Sequence, residues 1–290
     1  MLEANVLADV SNVIGESPVW LAATQTVYWV DAERAEVYWR AEEHGVVGSR
    51  SLALPVTALI PTTNGGWILV TKDGLHSASQ DFTSGAPLID PTAHDPRTRL
   101  NDGVADRWGR VWTGSQSDQT PTDPIGRLYV VASASDVTAV DEGFAVTNGI
   151  AMSPDGATVY VSDMFHRRIR VYGLDPETGA IIGHLPPITT RGPGYPDGLT
   201  VDEAGRIWVG YWEGSRVDCM DAKGTIITSV GVAVGHATRA CLGGPDGSQL
   251  FVTSARYGLD DAQLGALPSS GALFTATVDG VGIPPAEARL

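Results

Sequence analysis

Short runs of β-branched and aromatic residues, separated by Gly, Pro, Asn and Asp, extend along the whole chain. In the stretch around residue 160 they predict three successive strands, at residues 149–152, 158–163 and 168–174, followed by the turn sequence at 175–179. Apolar residues nowhere recur at helical spacing over 12 or more positions. The pattern therefore predicts an all-β protein.

The strands are organised in a repeat. Four segments, at residues 106–112, 153–160, 202–208 and 244–251, each join a turn to an apolar strand, and weaker copies lie at 23–28 and 64–69. Equivalent strand positions recur every 41 to 48 residues, at Tyr28, Leu69, Trp112, Tyr160, Trp208 and Phe251. A spacing of about 45 residues is the length of a four-stranded propeller blade. Six copies predict a six-bladed β-propeller with a central channel, forming one domain over residues 1–290.

The ends of the chain are predicted to close this ring. A strand near residues 6–10 is expected to pair with the last strands, around 272–278, which would remove an exposed sheet edge. Two β-sandwiches are the alternative architecture, but they would not produce a constant period.

Composition narrows the class of partner. The 290 residues carry 19 basic and 34 acidic side chains, a net charge of −15, which argues against nucleic acid or an anionic membrane surface as a partner. The segment Met1–Asn5 lacks the basic and apolar regions of a signal peptide, and two cysteines cannot form a disulfide framework. We therefore expect a cytoplasmic protein that is a monomer or a weak oligomer.

One position of the repeat is polar in nearly every copy. Eight residues before each turn glycine, or before Thr24 in the first copy, stand Glu16, Ala58, Asn101, Asn148, Asp197 and Arg239. These residues should converge on the channel, where unpaired carboxylates are costly. Carboxylate and amide oxygens suit Ca²⁺, Mg²⁺ or Mn²⁺. A hydrogen-bonded network with ordered water explains the ring equally well.

The motifs around these positions carry a resemblance. They are Gly15-Glu16-Ser17-Pro18, Arg99-Leu100-Asn101-Asp102-Gly103, Thr147-Asn148-Gly149 and Tyr195-Pro196-Asp197-Gly198. These four motifs resemble those of the gluconolactonase, regucalcin (senescence-marker protein) and luciferin-regenerating enzyme family. Segments 242–246 and 251–256 resemble the last blade of that family. The resemblance covers the chain from about Glu16 to Phe274.

The resemblance implies a propeller that holds one divalent cation and hydrolyses sugar or other small lactones. Ca²⁺ is the expected ion, with Mg²⁺, Mn²⁺, Zn²⁺ or Fe²⁺ as alternatives. It implies Glu16, Asn148 and Asp197 as metal ligands, and Asp197 also as the acceptor and donor of the catalytic proton. It implies Arg99 and Asn101 as contacts to the oxygens of the substrate.

The chain departs from the family pattern at two positions. Gln119 is the nearest match to an acidic residue that binds substrate in regucalcin-like members. Arg239 replaces a small polar residue or Asn, and it either binds a carboxylate or phosphate of the substrate or forms a salt bridge to a loop acid. Asp102, next to Asn101, is expected to face the opposite side of its strand.

These observations predict a divalent-metal-dependent lactonase whose partner is a small-molecule lactone. Hydrolysis of an organophosphate or another ester is one alternative, and a non-enzymatic propeller that binds metal or ligand is another. No His-Glu-x-x-His or Gly-x-Ser-x-Gly motif occurs, which argues against a zinc-protease or α/β-hydrolase site. The repeated turn residues Asp106, Asp155, Asp202 and Asp246 are predicted to cap turns.

Overall fold

Twenty-five strands are present in residues 2–290, the part of the chain that the computed structural model of the protein describes. They form six sheets of four or five strands, and the innermost strands of successive sheets contact one another in a closed ring. The protein is a six-bladed β-propeller, as the sequence predicts.

The strands follow one another from the inside of each blade to the outside. Two short strands come first, β1 (Leu2–Glu3) and β2 (Asn5–Ala8). Blade 1 contains β3 (Gly15–Leu21), β4 (Thr26–Asp31), β5 (Glu36–Ala41) and β6 (Val47–Ser51). Blade 2 contains β7 (Val56–Pro61), β8 (Trp67–Thr71), β9 (Gly74–Ala78) and β10 (Gly85–Ile89). Blade 3 contains β11 (Thr98–Ala105), β12 (Val111–Ser117), β13 (Gly126–Ser133) and β14 (Asp136–Phe144).

The second half of the chain repeats this arrangement. Blade 4 contains β15 (Thr147–Met152), β16 (Thr158–Asp163), β17 (Arg168–Leu174) and β18 (Ile181–Thr189). Blade 5 contains β19 (Tyr195–Val201), β20 (Ile207–Trp212), β21 (Arg216–Met220) and β22 (Ile226–Gly231). Blade 6 contains β23 (His236–Gly243), β24 (Gln249–Ala255) and β25 (Leu273–Thr277). A 3-10 turn, Met164–His166, and the helix α1 (Asp261–Ala266) complete the described elements. Within residues 2–290, no helix is long and apolar enough to cross a membrane.

The two ends of the chain close the ring. Strand β2 pairs with β25, with Val6 opposite Phe274, and becomes the outer strand of blade 6. This confirms the closure that the sequence predicts. Strand β1 also adds to the outside of blade 5, in parallel with β22, an addition that the sequence analysis does not predict.

The repeated turns confirm the structural role of their aspartates. The buried carboxylate of Asp202 accepts hydrogen bonds from Arg206 Nε at 2.7 Å and from Trp208 Nε1 at 3.0 Å. Asp106 has the equivalent partners in blade 3, and Asp155 and Asp246 accept bonds from residues of their own turns. Each carboxylate therefore fixes the turn that leads into the second strand of its blade.

The last residues of the chain cross the propeller at one end of the channel. The C-terminal segment (residues 279–290) is bonded to blade 6 through Gly282 and to blades 2 and 3 through Ala288 and Arg289. Ala288 is 1% exposed and packs in the apolar core between blades 2 and 3. This segment lies at the end of the channel formed by the C-terminal halves of the inner strands.

Candidate functional site

The backbone of every inner strand is irregular at the repeated polar position. The pairing register between first and second strands shifts between residues 16 and 19, 56 and 58, 100 and 102, 148 and 150, 196 and 199, and 237 and 240. An extra residue at such a bulge bends a strand and changes the direction of its side chains. Six equivalent bulges around one axis therefore bring the predicted polar positions to the channel.

Asn148 and Asp197 contact each other across blades 4 and 5. The amide Nδ2 of Asn148 donates to Asp197 Oδ1, and its Oδ1 accepts from the backbone of Gly149 at 3.0 Å. Both side chains are buried, with 7% and 2% exposed. Gly149 has a φ of +48°, and a Cβ there would lie 2.4 Å from the carbonyl oxygen of Asp197. Glycine at this position therefore allows the two blades to approach.

Glu16 approaches the same region from blade 1. Its Oε2 accepts from the backbone of Ser17 at 3.0 Å, and the Ser17 hydroxyl accepts from the backbone of Leu59 in blade 2 at 2.8 Å. Glu16 keeps part of its surface exposed. Burial, reinforced by the negative charge of Asp102, nevertheless raises the pKa of Glu16 to about 8.

The charge of Asp197 is disfavoured for the same reason. Burial raises its pKa well above the ordinary value of 3.8, and the negative charges of Glu16 and Asp102 raise it further. In residues 2–290, no Lys, Arg or His nitrogen lies within salt-bridge distance of Glu16 or Asp197. A buried carboxylate, Asp197, and a partly buried one, Glu16, therefore share a site without a direct cationic partner.

A hard divalent cation fits this set of donors. Glu16 and Asp197 supply anionic oxygens, and Asn148 supplies an amide oxygen, which are ligand types that Ca²⁺ and Mg²⁺ prefer. No three His, Cys, Asp or Glu side chains cluster as a metal site in the described part of the chain. Asn148 and water would therefore have to complete the coordination.

Arg239 occupies the channel beside these carboxylates. Blades 3 and 6 lie on opposite sides of the ring, and Arg239 Nη1 crosses it to donate to Asp102 Oδ1. Arg239 Nη2 donates to the carbonyl of Ile150 at 3.4 Å. Both members of the ion pair are buried. This geometry favours the salt-bridge interpretation over contact with substrate, although the partner is a strand residue and not a loop acid.

The expected orientation of Asp102 is wrong. Regular alternation would direct Asn101 and Asp102 to opposite sides of β11, but the register shifts between Leu100 and Asp102. Asp102 consequently reaches Arg239 in the channel, and the sequence reasoning missed it. A charged Arg at a channel position is a signal that could have prompted the search for a buried acid.

The remaining predicted residues lie towards the other end of the inner strands. Arg99 Nε is 3.6 Å from Asp118 Oδ1, and the exposed Gln119 donates to Asp118 Oδ2 at 3.2 Å. Asn101 donates to the carbonyl of Thr147 at 3.2 Å, beside Asn148. Asn101 therefore borders Asn148, whereas Arg99 and Gln119 both contact Asp118 on the loop after β12.

A second cavity lies between blades 5 and 6, at the ends of β20 and β23. Trp212 stacks on the buried His236 with ring centroids 3.8 Å apart, and Tyr257 and Glu213 contribute to the wall of this cavity of about 460 Å³. Trp212 ends β20 and His236 begins β23, and neither lies at the repeated polar position from which the sequence identifies the channel residues.

Comparisons with known proteins identify the family and agree with the fold. The model of the SMP-30/Gluconolactonase/LRE-like region matches residues 14–256. The pentonolactonase XacC of Haloferax volcanii is 31% identical, over 96% of this chain and 95% of its own length. The 6-deoxy-6-sulfogluconolactonase of Pseudomonas putida is 29% identical, over 92% of each chain. The crystal structure of a calcium-binding regucalcin from Agrobacterium tumefaciens superposes with a TM-score of 0.92 at 28% identity, covering 100% of this chain and 98% of that one.

Proposed function

Because the chain belongs to the SMP-30/gluconolactonase/LRE-like family, we propose that it hydrolyses a small, sugar-derived lactone with the help of one divalent cation held by Glu16, Asn148 and Asp197. The observation that carries this proposal is the pair of carboxylates without a direct cationic partner, Asp197 buried and Glu16 partly buried, beside the amide of Asn148. Ca²⁺ is the ion proposed, and the calcium-binding description of the Agrobacterium regucalcin supports it. The lactonase names of the two relatives support the substrate class.

A divalent cation in this site would supply Lewis acidity towards a carbonyl oxygen or a water molecule. Burial and its anionic neighbours make Asp197 a stronger base than an ordinary carboxylate. Its Oδ2, the oxygen that Asn148 does not engage, takes a proton from the attacking water. The same oxygen returns that proton to the ring oxygen of the lactone as the ester bond breaks, so Asp197 ends in its starting state.

Arg99 and Asn101 orient the lactone. Asn101 lies beside Thr147 and Asn148, and Arg99 lies beside Asp118 and keeps part of its surface exposed. Their NH groups can donate to the hydroxyl and carbonyl oxygens of a sugar lactone. Holding the ester near the attacking water reduces the entropic cost of the reaction.

Acid release from a panel of aldonolactones and simple γ- and δ-lactones tests the proposal. The protein is assayed before and after EDTA, and then after Ca²⁺, Mg²⁺, Mn²⁺ or Zn²⁺ is added back singly. We expect one or more lactones to open faster than their spontaneous hydrolysis, with activity lost on chelation and restored by an ion. Asp155→Asn, in an exposed turn, serves as the matched control and should behave like the unaltered protein.

Two results would contradict different parts of the proposal. Full activity after exhaustive chelation would remove the cation from the reaction but leave the lactonase assignment. Absence of lactone opening with every ion would remove the lactonase assignment, and a phosphotriester panel under the same conditions would then test the ester-hydrolase alternative.

A further inference from the structure

Arg239 is the only cation among the six ring positions, and its guanidinium lies in the channel. Three buried or partly buried carboxylates influence one another there, those of Glu16, Asp102 and Asp197. Only Asp102 is paired directly, because Arg239 crosses from blade 6 to blade 3 to reach it. The pair lies within the protein, with 7% of Arg239 and 2% of Asp102 exposed.

The neighbouring strand is built to admit this arginine. A Cβ on Gly198 of β19 would lie 2.4 Å from both Cβ and Cγ of Arg239. Any larger residue at position 198 would therefore displace the stem of the arginine. The register shift at residues 237–240 gives the side chain its direction across the channel. Glycine in blade 5 and the bulge in blade 6 together hold the guanidinium against Asp102.

The ion pair separates two different environments. On one side lie the carboxylates of Glu16 and Asp197, and on the other is a cavity of about 310 Å³. Apolar residues such as Leu59, Leu199 and Leu242 line that cavity, and the C-terminal segment borders it. Charges between an apolar cavity and a buried site are weakly screened, so the guanidinium acts strongly on nearby carboxylates.

We infer that Arg239 is a built-in cation that sets the strength of divalent-cation binding, by pairing with Asp102 and leaving two uncompensated carboxylates in the site. This inference rests on the proposed metal site. With Arg239 present, the three carboxylates and the guanidinium carry a net charge of −2 when all are ionised. Without Arg239 the same site would carry −3, and without Asp102 it would carry −1. Arg239 is thus a positioning residue, and it is not assigned to the substrate.

Substitutions at the two positions should change cation affinity in opposite directions. Arg239→Gln removes the positive charge and should tighten Ca²⁺ binding by about a hundredfold or more, since a unit charge repels a dication even about 10 Å away through an effective dielectric constant of about 20. Asp102→Asn leaves the guanidinium uncompensated and should weaken binding by a similar factor. The double variant should return to within about threefold of the unaltered protein.

Calorimetric titration of Ca²⁺ alone into chelator-treated, full-length protein measures these affinities without any substrate. Arg239→Lys, which keeps the charge, is the matched control and should bind Ca²⁺ as the unaltered protein does. Thermal unfolding in EDTA shows that each variant is folded. If Arg239→Gln does not fold, Arg239→Met, which keeps the apolar stem and removes the charge, takes its place and should likewise bind Ca²⁺ more tightly.

A purely structural ion pair would give another result. If the pair only braces blades 3 and 6, Arg239→Gln and Asp102→Asn should both lower the unfolding temperature, and both should bind Ca²⁺ equally well or more weakly. That outcome would overturn the role of Arg239 and leave the proposed function intact. Absence of Ca²⁺, Mg²⁺ or Mn²⁺ binding by the unaltered protein would instead overturn the metal site itself.

Discussion

Asp197→Asn separates proton transfer from cation binding in the proposed mechanism. The substitution keeps the shape of the side chain and an oxygen that can accept from Asn148, but it removes the group that carries the proton. General acid–base catalysis contributes about 10²- to 10⁴-fold, or about 3–5 kcal/mol of activation free energy. We therefore expect kcat for the best lactone to fall by about that factor, even when the cation is saturating.

The same substitution should not destabilise the metal-free protein. Asp197 is 2% exposed and lies near the negative charges of Glu16 and Asp102, so its ionised form is unfavourable in the folded state. Replacing the carboxylate with a neutral amide removes that repulsion. The unfolding temperature in EDTA should stay the same or rise, which distinguishes lost chemistry from lost folding.

Glu16→Gln is the matched control for Asp197→Asn. It removes one negative charge from the same site and keeps the side-chain shape, but Glu16 has no role in moving the proton. Its loss of activity should be recovered by excess cation, whereas the loss in Asp197→Asn should persist. If Asp197→Asn turned over within tenfold of the unaltered protein at saturating cation, Asp197 would not be the proton carrier.

Three further predictions concern stability and packing. The metal-free protein should lose a few kcal/mol of unfolding free energy as the pH rises from about 4.5 to 8. The reason is that Glu16 keeps its proton in the folded protein over a pH range in which the unfolded chain releases it. A pH series of chemical unfolding in EDTA measures this change, and a free energy of unfolding that does not vary with pH would contradict it. Asp202→Ala should lower the free energy of unfolding by about 3–5 kcal/mol, because it leaves the guanidinium of Arg206 without its buried partner. The KM for the lactone should not change. Denaturant unfolding measures the first effect and steady-state kinetics the second, and a changed KM would count against a purely structural role for Asp202. Gly198→Ala should destabilise the protein by about 1–3 kcal/mol because the added Cβ meets the stem of Arg239, and a variant of unchanged unfolding temperature would contradict this packing argument.

The sequence is sufficient to predict the architecture because a propeller repeats its local interactions. Trp112 and Trp208 occupy the same position of blades 3 and 5, and each donates its indole NH to the aspartate of the preceding turn. A fixed number of residues then separates that turn from the bulge in the inner strand. Counting along the chain therefore identifies side chains that meet in space, as Asn148 and Asp197 do.

The details that the sequence did not reveal are those that break the repeat. Regular alternation of side chains along β11 predicts that Asp102 faces the side opposite to Asn101. A bulge interrupts that alternation, and Asp102 therefore reaches the channel. His236 and Trp212 stack between blades 5 and 6 at positions that the repeat does not single out. The C-terminal segment crosses the ring after the sixth blade, so no period describes it.

The stability of the ring and the chemistry of the site depend on different residues. The turn aspartates Asp106 and Asp202 are buried and paired, and the strands at the two ends of the chain close the ring. The carboxylates of Glu16 and Asp197 have no such partners, and their ionised forms are costly in the folded protein. The proposed cation would relieve this cost, and the relief would add to its affinity for the site. If Arg239 acts as we infer, it limits that effect by neutralising the third carboxylate, and cation affinity should follow the charge of the channel more closely than the stability of the blades.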